Sequence, residues 1–228
     1  AGYQTYWLSN QPPIGIYETL VTKIALSANY SQFMTTESPN KRMNYDEVLL
    51  AKLDAVLKEP ASKKIIFLHL MGTHANYKYR YPKSFDIFST NDASEKQQIR
   101  DQYDNAVLYN DYILREIIEK TRRTDIPSSV IYFSDHGEEV YDSIDFAGHP
   151  VNGQFTYNLI EIPFLHWNSS NKEIPKQFFN RPFILNDLSH SLADLYEIKS
   201  KQTDTTRSVF SKAFKIRQRI VRDTIIVE

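Results

Sequence analysis

The chain has 228 residues, enough for one domain with a sizeable core, and its 41% hydrophobic and 24% charged content is that of a globular protein, which excludes disorder. A net charge of −1 gives no global basic field, so nucleic acid is not an expected partner. The chain has no cysteine, which excludes disulfides, thiolate metal sites and cysteine nucleophiles while leaving the compartment open.

Gln4–Ser9 reads as a short strand, closed by Asn10-Gln11-Pro12-Pro13. Leu20 and Ile24 stand at helical spacing within a predicted helix over Tyr17–Ala28, and Ser31–Lys41 reads as loop. A second helix is predicted over Tyr45–Lys58, with Asn44 as its cap, Glu47 completing a capping box, and Pro60 stopping it. Lys63–Leu70 is a continuous apolar run, which predicts a central strand buried on both faces. The Tyr-, Pro- and Asn-rich stretch Met71–Asp92 reads as loop. Ser94 is placed to cap a long helix from Glu95 to about Arg122, with Ile99, Tyr103, Ala106, Asn110, Ile113 and Ile117 on one face. Ser128–Phe133 and Ile162–Trp167 are predicted as two further central strands, and Asn186–Leu195 as a helix. The tail from Ser208 is ambiguous, and Thr224–Val227 could serve as an edge strand.

Strands alternating with helices imply a mainly parallel sheet covered on both faces, with ligands at the C-terminal strand ends. No apolar run reaches the roughly 18–20 residues that span a bilayer, and nothing reads as a signal peptide. The chain opens at Ala1-Gly2-Tyr3, inside what reads as a structural element, whereas domain boundaries fall in polar linkers. The expectation is a single domain over residues 1–228, cut from a longer protein.

The segments just past the predicted central strands carry the chemistry. Met71-Gly72-Thr73-His74 comes after the first strand, Ser134-Asp135-His136-Gly137-Glu138-Glu139 after the second, and Phe146-Ala147-Gly148-His149-Pro150 lies downstream. A carboxylate beside an imidazole at a strand end suits a divalent ion such as zinc. Adjacent residues of an extended strand face opposite ways, so Asp135 and His136 converge only at the bend, where Gly137 lends flexibility. The same pair suits an Asp135 helix cap beside a surface histidine, and spacing alone does not separate the two. His74 and His149 are placed either to donate to a phosphate oxygen and move a proton, or to be ordinary loop histidines. His69 and His166 lie inside predicted strands and read as structural, while His190 has no evident role.

The string His69-Leu70-Met71-Gly72-Thr73-His74 resembles the HxxGSH segment of bacterial phosphoethanolamine transferases, with Thr for Ser. Tyr103–Asp111 is similar to the YDNAxxYxD helix of that family, and Ser134–Glu138 to its SDHGE metal motif. Tyr3–Gln11 and Tyr45–Leu50 also resemble it, so the matches run in family order over roughly residues 1–165. The resemblance implies a three-layer α/β/α sandwich of the alkaline phosphatase/sulfatase superfamily with a mainly parallel central sheet, its N-terminal part missing. It implies a zinc enzyme at the periplasmic face of the inner membrane, tethered by the missing segment, moving phosphoethanolamine from phosphatidylethanolamine to lipid A or another envelope glycan. Carried over by position, Asp135 and His136 would be zinc ligands, and His74 and His149 would contact the phosphoryl group. The family's nucleophilic threonine and a further zinc-ligand glutamate have no counterpart here; Thr35 and Thr36 are in the wrong place. The fragment alone is therefore expected to be inactive and to bind zinc weakly or not at all. Lipid A enzymes of the family often carry disulfides, so a cysteine-free chain points to another acceptor branch. In the family a histidine usually precedes glycine where Gly148 here precedes His149.

Two other readings compete. One is a sulfatase or phosphodiesterase on the same scaffold, which the YDNA helix disfavours. The other is a catalytically inactive domain binding glycans or lipid head groups, with Tyr77–Tyr81 as stacking surface.

Overall fold

A computed structural model describes residues 2–15, 18–35, 44–89, 94–150, 154–170, 175–221 and 225–227. Tyr17, Thr36 to Lys41, residues 90–92 and Thr224, all named in the sequence expectations, lie outside them. The chain divides into two compact units, Gly2–Ser170 and the segment from Asn171 onward.

In the larger unit a parallel sheet has the order β2-β1-β3, built from β1 (Gln4–Ser9), β2 (Tyr30–Phe33) and β3 (Lys64–His69). β1 is thus the middle strand, and β3, expected to be central and buried on both faces, leaves Phe67 40% exposed. β2 falls where the sequence reads as loop. It is short and polar, and its register is set from outside: Asn29 Oδ1 accepts from the Thr5 amide at 3.0 Å and the Thr5 hydroxyl at 2.8 Å. β1 alternates, sending Tyr6 and Leu8 into the core and pairing Trp7 with Phe67 on the other face, where the two rings stack at 5.2 Å.

Helix α1 spans Glu18–Ala25 and α2 spans Val48–Lys58. The capping box expected at Asn44 does not form, because the helix begins three residues after Tyr45 and Glu47 stands at its N-cap with no side-chain bond. Asn44 instead donates its side-chain amide to the Met34 carbonyl at 3.2 Å. α3 runs over Glu95–Arg122, and Ser94 caps it as expected, accepting from Gln97 N at 3.3 Å. Its apolar stripe packs Ala106, Tyr109, Ile113 and Ile117 against Leu50 and Leu53 of α2 and against Tyr77 and Tyr81. Tyr6 and Leu8 meet Leu49 and Val56 in a second cluster, so α2 is wedged between sheet and long helix. Asn105, fully buried on α3, accepts from Ile87 N and Phe88 N at 3.0 and 2.9 Å and donates to the Phe88 carbonyl at 2.9 Å. That satisfies the backbone of a loop that has no strand partner.

β4 (Ser129–Phe133) pairs antiparallel with β7 (Phe164–Asn168), not parallel as the alternation of elements suggested. Asn110 Nδ2 of α3 donates to the Tyr132 hydroxyl at 2.6 Å and so ties β4 to the helix. Between β4 and β7 a two-residue hairpin forms from β5 (Glu139–Val140) and β6 (Ala147–Gly148).

In the smaller unit, α4 (Leu188–Leu195) follows a 3-10 turn, and β8 (Arg219–Val221) pairs antiparallel with β9 (Ile225–Val227). The expected last strand thus exists, as half of a hairpin. His190 acquires a role, its Nδ1 accepting from the Asp204 amide at 3.2 Å. No helix among the described residues is long and apolar enough to cross a membrane.

Candidate functional site

Two turns leave the C-terminal ends of β3 and β4, and the hairpin β5–β6 returns the chain to the second of them. The turn after β3 is built on Asp46, a buried carboxylate that sequence reading passed over. Its Oδ1 accepts from Met71 N at 2.9 Å and Asn10 Nδ2 at 2.8 Å, and its Oδ2 accepts from Gly72 N at 2.8 Å. Burial holds its carboxyl above the usual carboxylate range, while these donors and the nearby Arg80 pull it back. Gly72 has φ +58°, the left-handed region where glycine carries no steric penalty, and this turns the chain toward His74. Arg80, itself buried, donates from Nε to the His74 carbonyl at 3.0 Å and from Nη2 to the Ala75 carbonyl at 3.1 Å. Nothing in the spacing of Asp46 or Arg80 marks them; both act through the backbone of the turn.

The turn after β4 carries the predicted metal pair. Ser134 Oγ donates to the His136 carbonyl at 2.7 Å, closing the bend. His136 Nδ1 lies 2.9 Å from the Gly137 carbonyl, which only accepts, so Nδ1 holds the proton and the Nε2 lone pair is left outward in the neutral ring. Nε2 stands 3.9 Å from Asp135 Oδ2, and the Asp135 side chain is 86% exposed. Gly137 is required here for space, not for the flexibility expected from sequence. A Cβ on it would sit 1.9 Å from the Asn158 carbonyl oxygen, and its amide donates to the Leu159 carbonyl at 3.0 Å.

The hairpin brings His149 back against this turn: its ring stacks on that of His136 at 3.8 Å with the planes 19° apart. Three groups hold the hairpin. Glu139, fully buried, accepts from Ser143 N at 3.1 Å and Asn158 Nδ2 at 3.2 Å. Burial would raise its carboxyl, but the donors around it prevail and hold it below the usual range. Arg100 of α3 donates from Nε to the Val140 carbonyl at 3.0 Å and from Nη2 to the Tyr141 carbonyl. Gly148, at φ +119°, allows the exit bend.

A side-chain bond joins the two turns. Tyr77, on the stretch after His74, donates its hydroxyl to Oε2 of Glu138. Of the stretch expected as a stacking surface, Tyr77 is 3% exposed and Tyr81 6%, which leaves Tyr79, at 41%, as its exposed ring. Burial raises the Glu138 carboxyl, with the Asp135 charge adding to it and Tyr77, His136 and Arg80 opposing. His74 lies within electrostatic reach of the second turn. Partial burial and the charges of Arg80 and His136 lower its pKa, against the pull of the Ala75 carbonyl and the Asp135 carboxylate. The four predicted residues therefore gather at neighbouring turns, three of them in direct ring or ion contact. His69, read as structural, bonds its Nδ1 with Ser9 Oγ at 3.1 Å, and burial depresses the pKa of His166 in β7.

Does this set fit zinc? Tetrahedral ligands about 2.0–2.1 Å from the ion stand roughly 3.4 Å apart, so the 3.9 Å between Asp135 Oδ2 and His136 Nε2 needs only a small closure. The carbonyl that holds His136 in its tautomer is the usual outer partner of a metal-bound imidazole. Among the described residues no group of three or more His, Cys, Asp or Glu could hold a metal, whereas a structural zinc takes four ligands.

The sequence profile of the sulfatase family matches residues 1–198. The phosphoethanolamine transferase EptC of Escherichia coli is 36% identical over 94% of this chain and 40% of its own length. The phosphoethanolamine transferase CptA of Salmonella typhimurium is 34% identical over the same shares. The chain thus spans about 40% of the length of these curated relatives. Among solved structures, the C-terminal periplasmic domain of the Escherichia coli EptC in complex with zinc superposes with a TM-score of 0.90 and 31% identity, over 100% of this chain and 68% of that one. The shared fold is the α/β sandwich with a parallel central sheet that the sequence suggested.

Proposed function

The chain belongs to the sulfatase family, among its phosphoethanolamine transferases, and on that premise we propose that it is the metal-binding portion of a zinc-dependent transferase. The donor is phosphatidylethanolamine and the acceptor lipid A or another envelope glycan, at the periplasmic face of the bacterial inner membrane. A threonine outside this chain attacks the phosphorus, the P–O bond to diacylglycerol breaks and diacylglycerol leaves as its alcohol, and the phosphoethanolamine on threonine passes to an acceptor hydroxyl, which frees the threonine.

Within that scheme Asp135 and His136 would hold the ion, which would supply Lewis-acid chemistry at the nucleophile and the phosphoryl oxygens. His149 and His74 contact the phosphoryl group. With its pKa lowered, His74 is neutral near pH 7, in the form that accepts a proton. Gly137 and the Glu139-anchored hairpin keep the His136 and His149 rings in register. The observation that carries the reading is the His136 ring: tautomer fixed by Gly137, Nε2 beside Asp135, face stacked on His149.

The test is activity of the full-length gene product on a labelled phosphatidylethanolamine analogue, against a sulfate ester as the competing substrate class. Phosphoethanolamine transfer, abolished by Asp135→Asn or His136→Ala, is expected; sulfate release without transfer would establish the sulfatase reading instead. The 228-residue chain alone should show no turnover and weak zinc uptake in calorimetry. Tight stoichiometric zinc binding by it would contradict a half-shell of two ligands.

A further inference from the structure

Charge is divided unevenly along the chain. Residues 171–228 carry 11 Lys and Arg against 7 Asp and Glu, although the whole chain is at −1. The excess is concentrated over residues 199–219, where seven Lys and Arg face one carboxylate, Asp204. That carboxylate is consumed locally: Oδ1 accepts from Thr206 N at 2.9 Å and from the Thr206 hydroxyl at 2.7 Å, and Oδ2 from Arg217 at 3.2 Å. Arg207 is likewise committed, to the buried Asp187. Lys199, Lys201, Lys212 and Lys215 are exposed. The Lys215 amide donates to the Thr206 carbonyl at 2.9 Å, which holds the 215–217 stretch alongside the 204–207 turn. Exposed apolar side chains punctuate the same stretch: Ile216, between Lys215 and Arg217, is 77% exposed, and Ile220 47%.

Exposed lysines with bare isoleucines beside Lys215 and Arg219 are poorly explained as a solvated face, which would place polar residues at those positions. They match a surface that meets phosphate head groups with its cations and the acyl boundary with its apolar side chains. We propose that residues 199–220 bind the surface of an anionic phospholipid bilayer. The proposal needs neither the transferase reading nor any anchor outside this chain.

The probe is co-sedimentation of the 228-residue chain with vesicles of mixed phosphatidylglycerol and phosphatidylcholine, and with vesicles of phosphatidylcholine alone. Binding is expected only to the first, weakening as salt is raised. The variant Lys199→Gln/Lys201→Gln/Lys212→Gln/Lys215→Gln should lose several hundredfold in partitioning, since each cation near such a surface contributes roughly fivefold. Ile216→Ser/Ile220→Ser should weaken binding by a smaller, salt-insensitive factor. Equal binding to both vesicle types would overturn the proposal, as would a lysine variant that binds like the parent chain. Absence of vesicle binding beside tight binding to duplex nucleic acid would likewise overturn it. The lipid dependence of the unmodified chain decides the matter even if a variant fails to fold.

Discussion

Replacing Gly137 with alanine adds one methyl group at the tightest point of the candidate site. The new Cβ would stand 1.9 Å from the Asn158 carbonyl oxygen, and 3.0 Å from both the Asn158 carbonyl carbon and the Glu161 carbonyl oxygen. All three are backbone atoms, so no rotamer change relieves the contact. Reaching an ordinary separation of about 3.3 Å moves one backbone against the other by more than 1 Å, which stretches the Gly137 N to Leu159 O bond as well. Overpacking of this kind costs typically about 1–3 kcal/mol, and the lost backbone bond adds roughly 1 kcal/mol, so a destabilisation near 3 kcal/mol is expected. Urea unfolding of the 228-residue chain, followed by far-UV circular dichroism, measures it. In the full-length protein the same variant should lose transfer activity, because the displaced turn carries Asp135 and His136. An unfolding free energy within about 0.5 kcal/mol of the parent would refute the reasoning, since it would mean that the 137–158 approach is looser than described.

Tyr77→Phe removes the hydroxyl that bridges the two turns and leaves a half-buried Glu138 carboxyl one donor short, so a loss of about 1–3 kcal/mol in the same assay is expected. Asp46→Ala strips three donors, two of them backbone amides, of their shared acceptor; a loss of about 3–5 kcal/mol is expected, with slowed hydrogen exchange at Met71 and Gly72 giving way to rapid exchange. The pH dependence has a definite sign. The unfolded imidazoles of His74 and His166 take up protons near 6.5, while the folded ones resist until lower pH, so stability is complete above that value and declines as pH falls below it. The doubly substituted His74→Gln/His166→Gln chain should show a shallower decline between pH 6.5 and the onset of carboxylate protonation; an identical slope would count against both depressed values.

The parts of the fold that sequence revealed are those with a strong local period. α3 declares itself through its long apolar stripe and its Ser94 cap, and β1 through its bounded, aromatic-rich run. The parts that stayed hidden depend on partners distant in sequence. β2 is four polar-leaning residues that become a strand because β1 offers an edge, and the antiparallel sense of β7 is a tertiary choice no local pattern encodes. At the candidate site, the strand-end rule found Asp135, His136, His74 and His149 because ligand-type residues there stand out by type. The groups that fix them, Asp46, Arg80, Tyr77 and Glu139, work by burial and by bonds to main-chain atoms, and a buried carboxylate looks in sequence like any other. Sequence suggests flexibility at Gly137, whereas the neighbour that forbids a side chain there lies 21 residues on, at Asn158.

The position of β1 between β2 and β3 also bears on how the chain folds as it is made. Gln4 lies opposite Lys64 and Ser9 opposite His69, so the first of these three strands to be made must hold one flank open while some sixty residues are added. Until then its Tyr, Trp and Leu side chains have no lasting cover, and nucleation awaits a long-range encounter. A synthesis pause or a chaperone acting before His69 appears should therefore alter the yield of folded protein more than one acting afterwards.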